Sequence, residues 1–172
     1  MVENTVEEYD KQSWGRGLWD HEPDRVEGEH AGFPTLARRG PMGSWCGYVA
    51  VPPGHYDHGI YYGEVDGDLD VHGGLTYSGL CHGAICHVPK PGEPDNVWWF
   101  GFDCGHYRDI TPGMMKYHFG SDEYSTYKDL SYVQEEIKKL AEQLAERAKW
   151  VRVDVHALAQ RLKEKWTRVA VE

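Results

Sequence analysis

Val97–Cys104, VWWFGFDC, is the stretch that most constrains what this chain can fold into. Aromatic residues dominate it, the turn-forming PGEPDN precedes it and Gly105 follows, so it reads as a buried strand and not as a helix. Alternate side chains of a strand point to opposite faces. Trp98, Phe100, Phe102, Cys104 and His106 therefore share one face, the predicted core face, and Trp99, Gly101, Asp103 and Gly105 share the other. The strand runs straight into Asp103, Cys104, His106 and Asp109, a concentration of groups able to do chemistry.

A strand of this kind needs neighbours. Trp45–Val51 is apolar on both faces and is closed by Pro52 and Pro53, the pattern of a central strand. Leu69–Ser78 alternates Leu69, Val71, Leu75 and Tyr77 with Asp70, His72, Gly74, Thr76 and Ser78, which predicts another strand. After residue 120, Leu130, Val133, Ile137, Leu140 and Leu144 recur at three and four, predicting an amphipathic helix at about 128–148. Glu135, Glu136, Lys138 and Lys139 are assigned to its solvated face, with Glu135 paired to Lys139. A short strand at 150–155 and a last helix carrying Leu158, Leu162 and Trp166 are expected beyond it. Residues 1–44 are polar and broken by Gly and Pro, with Trp14, Trp19 and Phe33 as isolated anchors, and read as an irregular N-terminal arm. The expected fold class is α+β: a single domain at 45–172, its mixed or antiparallel sheet packed against a long C-terminal amphipathic helix.

The chain has 172 residues, 40% of them hydrophobic, enough for one domain with a real core. A formal charge of −10 argues against nucleic acid or an anionic membrane as main partner, since both reward positive charge. No apolar run approaches the roughly 20 residues of a membrane helix, and MVENTVEEYD lacks the basic start and apolar stretch of a signal peptide, so a cytoplasmic location is expected. In that setting Cys46, Cys81, Cys86 and Cys104 read first as thiols or metal ligands and only then as disulfides.

If the strands at 69–78 and 97–104 lie in one sheet with polar faces aligned, His72, Thr76 and Asp103 project together. Gly74 and Gly101 then clear the space between them, with Gly73, Gly74, Thr76 and Trp99 lining a ligand site. His106 and Asp109 follow where the strand turns, so His72, Asp103, His106 and Asp109 are the candidate catalytic set. The plainer reading has His72 as a buried histidine, Asp109 starting a turn and Gly73-Gly74 as a bulge. A divalent cation such as zinc is the cofactor these residue types suit, drawn from His55, His58, His72, Asp103 and His106 and above all from His58, His72 and His106. The CHGAICH segment, Cys81–His87, has no C-x₂-C pair and reads as a loop. Cys104 as nucleophile is disfavoured by its place at the end of an apolar row. No phosphate-cradling glycine motif and no G-x-S-x-G elbow occurs.

WCGYVAVPPGH, VDGDLDVHGGLTYSG, WWFGFDCGHYRD and YKDLSYVQEEIKKLAEQL, in that order over about residues 45–145, resemble a set of uncharacterised proteins of bacteriophages and their bacterial hosts. The resemblance implies a small, soluble accessory protein of the host cytoplasm and supplies no activity. Three roles follow as expectations: a hydrolase, metal-dependent or not, acting on a small polar substrate; a non-catalytic accessory protein that captures a host protein or a signalling nucleotide; or a purely structural protein. Their respective partners are a small polar ligand or a host protein.

Overall fold

The computed structural model describes residues 4–6, 9–65, 67, 69–115 and 123–149. The strands are β1 (Asn4–Val6), β2 (Arg25–His30), β3 (Phe33–Arg39), β4 (Trp45–Val51), β5 (Tyr77–Leu80) and β6 (Trp98–Asp103), with helices α1 (Pro112–Met115) and α2 (Leu130–Arg147). They form one six-stranded sheet in the order β1-β2-β3-β4-β6-β5. Every pairing is antiparallel. Among the described residues the result is an α+β architecture, one antiparallel sheet with one long helix. The expected strand at 150–155 and the last helix lie outside the described residues.

Alternation decides both faces of the sheet. Trp45, Val49 and Val51 of β4 and Phe100 and Phe102 of β6 pack, with Cys104, against Val133, Ile137, Leu140, Ala141 and Leu144 of α2. Gly47 is required by this packing, because a Cβ there would lie 2.4 Å from Phe102 and 2.8 Å from Ile137. Complete burial of each Leu or Val on the α2 face contributes roughly 2 kcal/mol. The opposite face carries a second cluster of Leu36, Tyr48, Ala50, Val97 and Trp99. Trp99 is fully buried there, which corrects its expected role as a ligand wall: both faces of β6 are covered.

Two segments differ from expectation. The stretch read as an irregular arm contains the β2–β3 hairpin, joined by Ala31 and Gly32, both at positive φ as a two-residue turn requires. Charged Arg25, Glu27 and Glu29 concealed the strand, while Trp14, Trp19 and Phe33 are buried anchors as read. The Leu69–Ser78 strand shrinks to Tyr77–Leu80. Gly73 and Gly74 both adopt left-handed φ (+67° and +82°), and Gly74 N–H donates to Val71 O at 3.0 Å, turning the chain. Leu69 and Val71 are buried beneath α2 and pair with no strand among the described residues. Helix side chains supply their backbone partners instead: Gln143 Oε1 accepts from Asp70 N, Gln143 Nε2 donates to Asp70 O, and Glu136 Oε2 accepts from His72 N.

Both ends of α2 are tied down by buried charge. Asp129 caps its start by accepting from Tyr132 N, and Glu22 Oε1 accepts from Leu130 N. Glu22 Oε2 also pairs with Arg39, a fully buried guanidinium that donates to Asp24, Gly43 O and Tyr127 and lies 4.3 Å over the Trp45 ring. At the other end Arg147 makes two 2.7 Å bonds to buried Asp57, and His55 Nε2 donates to Leu144 O. No helix among the described residues is long and apolar enough to cross a membrane.

Candidate metal centre

His72, His106 and Asp109 meet at the mouth formed by the 69–76 turn, the end of β6 and the first turn of α2. Asp109 organises the group. Its Oδ2 accepts from His106 N at 3.0 Å and lies 2.7 Å from His72 Nε2. Asp109 N in turn donates to His106 O, closing a tight turn whose Arg108 sits at φ +69°, an uncommon conformation for a residue with a side chain. Strand pairing of Asp109 with Thr126 fixes the turn to the segment leading into α2.

His72 is held from both sides, its Nδ1 2.9 Å from Tyr132 Oη and its Nε2 on Asp109. Burial and the nearby Glu136 carboxylate push the Tyr132 phenol upward, so it is present as a hydroxyl able to donate or accept. With no ion bound, Nε2–H donates to the carboxylate and Tyr132 donates to Nδ1. With a cation between Nε2 and the carboxylate, Nδ1–H would instead donate to Tyr132 and Nε2 would present its lone pair. The latter is the tautomer of a metal-ligating histidine with its outer nitrogen anchored. His106 packs its ring 5.6 Å from that of His72, directly over Gly73. Its Nδ1 is buried without a hydrogen-bond partner among the described residues, 3.8 Å from both Asp109 Oδ2 and Asp103 Oδ1.

One donor atom from each of His72, His106 and Asp109 lies within 4.8 Å of the other two. Two imidazoles and a carboxylate, with an unpartnered ring nitrogen aimed among them, fit a divalent cation of the zinc, manganese or iron class while leaving coordination positions open. Lys128 stands on the other side of the carboxylate, its Nζ 3.9 Å from Asp109 Oδ1.

Not every expected residue joins this group. Asp103 is at its edge, with Oδ1 accepting from Gly105 N. Thr76 is exposed, and its backbone N–H donates to Gly101 O. Gly73 and Gly74 adjoin the cluster, but through a turn instead of a cleared strand face. His58 is elsewhere, donating from Nε2 to Asn96 O beside Trp98. His55 is spent on the helix end, with Nδ1 accepting from Asp57 N; burial lowers its pKa and holds it neutral. Cys104 is buried, and desolvation pushes its thiol far up, out of nucleophilic range. Cys81 and Cys86 are joined as a disulfide, correcting the thiol-first reading: the His82–Ile85 bridge brings their Cα atoms to 4.7 Å.

Tyr132 and Glu136 join the site although neither is expected there from the sequence. Glu136 was assigned to the solvated face, yet it is buried against His72 N and paired with Lys139. The available signal was that the two lie four apart on the flank of the apolar stripe, where a helix presents polar groups at the margin of its packed face. Comparison with protein families, characterised proteins and solved structures finds no match to this chain.

Proposed function

We propose that this chain is a metal-dependent hydrolase of a small polar substrate, with His72, His106 and Asp109 holding a divalent cation. The observation that carries the reading is the unpartnered, buried Nδ1 of His106 beside the Asp109 carboxylate and His72. A buried polar atom is normally partnered, and a cation held between His72 and Asp109 would partner this one. When bound, the cation would supply Lewis acidity and lower the pKa of a water molecule. Tyr132 holds the His72 ring through Nδ1, and Asp103, 3.8 Å from His106 Nδ1, is the carboxylate left over to accept the water proton. The accessory role suggested by the phage-type motifs belongs to the same proposal.

Elemental analysis of protein purified without an affinity tag or chelator tests this. Near-stoichiometric zinc, manganese or iron, lost in both His72→Ala and His106→Ala, is the expected result. A metal-free protein that gains no thermal stability on titration with those cations would overturn it.

One observation favours the capture role as a second reading. A cavity of about 550 Å³ lies along the open part of β2, lined by Gly28, His30, His87, Lys90, Glu93 and Gln134 among others. Under this reading a small ligand co-purifies, and His106→Ala retains it while a bulky residue at Gly28 expels it.

A further inference from the structure

We infer that the substrate of this centre is a phosphate ester carried on an aromatic or heteroaromatic group, a nucleotide-like molecule. The inference rests on the metal-hydrolase reading above. Although the chain carries a formal charge of −10, the residues around the cluster bring cations to its mouth. Lys128 Nζ is 3.9 Å from Asp109 Oδ1, whereas His72 and His106 approach Oδ2. The carboxylate thus separates a cation site on one oxygen from an ammonium on the other. A phosphoryl group bridges two such positive centres, one oxygen on each, and metal-plus-lysine clamps are the usual means of stabilising it in transfer. An ammonium has three donors. Lys128 directs one to Thr126 Oγ1 at 2.7 Å, and its position 5.1 Å over the Tyr132 ring holds the stem beside the residue that orients His72.

The second half of the inference comes from the turn that builds the centre. Arg108, between His106 and Asp109, carries its guanidinium 5.2 Å from the Tyr107 ring and 5.1 Å from the Tyr124 ring. Those rings are 84% and 63% exposed, too exposed to be core residues. Exposed tyrosines around an arginine present the stacking and cation–π surface on which bases are held. Hydrolysis at this centre would form one P–O bond from the water oxygen and break the ester P–O bond. One water proton would pass through Asp103 to the departing alcohol, leaving inorganic phosphate.

Calorimetric titration of the manganese-loaded full chain tests the inference, with inorganic phosphate, adenosine 5′-monophosphate and acetate as probes. Phosphate is expected to bind and acetate to compete poorly. Lys128→Met should weaken phosphate about tenfold, Lys128→Arg should restore most of that loss, and manganese affinity should not fall in either. Tyr107→Ala with Tyr124→Ala should weaken the nucleotide several-fold more than phosphate. Phosphate affinity unchanged in Lys128→Met, or acetate competing as well as phosphate, overturns the substrate class while leaving the metal centre in place. Manganese that fails to bind, or binds equally to His72→Ala and His106→Ala, removes the metal centre and this substrate class together.

Discussion

Gly73→Ala separates the geometry of the centre from the stability of the fold. A Cβ at residue 73 would lie 2.2 Å from His106 Cε1, 2.5 Å from Nδ1 and 2.7 Å from Nε2. Ordinary carbon contacts are about 3.5–4.0 Å, so the imidazole must retreat by roughly 1 Å or more. Displacement of that order costs metal affinity about 10- to 100-fold if His106 is a ligand, the range seen when groups that position a ligand are lost. Alanine at φ +67° adds backbone strain of about 1–2 kcal/mol, or a melting point lower by roughly 2–8 °C for a chain of this size. Gly74→Ala is the matched control, because its φ is +82° and nothing lies within 4 Å of its would-be Cβ. Both variants should melt lower by similar amounts, and only Gly73→Ala should lose zinc affinity in competition with a chromogenic chelator. Equal zinc affinity in the two variants would refute the placement of His106 as a ligand, whatever their melting points.

Tyr132→Phe should leave the fold intact and weaken metal binding about tenfold or more, since His72 Nδ1 loses its anchor; unchanged affinity in the same chelator competition counts against that role. Arg147→Met should cost about 3–5 kcal/mol in urea unfolding, because it strands buried Asp57, and adding Asp57→Asn should recover part of the loss; a cost below about 1 kcal/mol would mean that the pair is solvated. His55 has a pKa below its ordinary 6.5 in the folded chain, so the unfolded chain binds the proton first as pH falls, and stability declines from about pH 6.5 downward until the folded-state pKa is passed. His55→Asn should therefore be less stable than the wild type at pH 7.5 but lose less on going to pH 5; parallel pH profiles would refute the assignment. Leu140→Ala should cost roughly 2–5 kcal/mol by opening a cavity under α2, read as a shift of the urea midpoint.

The parts of the fold legible in the sequence were those with one dominant period. The run at 97–104 and the spacing from Leu130 to Leu144 each bury a continuous apolar row, and they became β6 and the packed face of α2. The β2–β3 hairpin was obscured because its outward positions are charged, and the decisive signal was the Ala31-Gly32 turn. Period two misled at Leu69–Ser78. Leu69 and Val71 alternate because both reach under the helix, and the partners of that backbone are side chains some 64 to 73 residues further on, which local pattern cannot reveal. His72, His106 and Asp109 are all legible in the sequence as reactive groups, yet they meet through a turn and not on a strand face that His72 shares with Thr76 and Asp103. The chain reversal at Gly73-Gly74 carries His72 to His106 on the helix side, where Tyr132 and Glu136 complete the setting.

The segment bearing His72 has no strand ladder of its own at Asp70 and His72, and its amides are borrowed by Gln143 and Glu136. Release of those side chains exposes the amides to solvent, so their hydrogen exchange should slow with whatever holds the segment against α2. With an ion held by His72, occupancy of the proposed centre and attachment of the helix would be one equilibrium seen from two ends. Each tenfold excess of a bound ion over its dissociation constant should slow exchange at residues 70 and 72 and along α2 by a common factor.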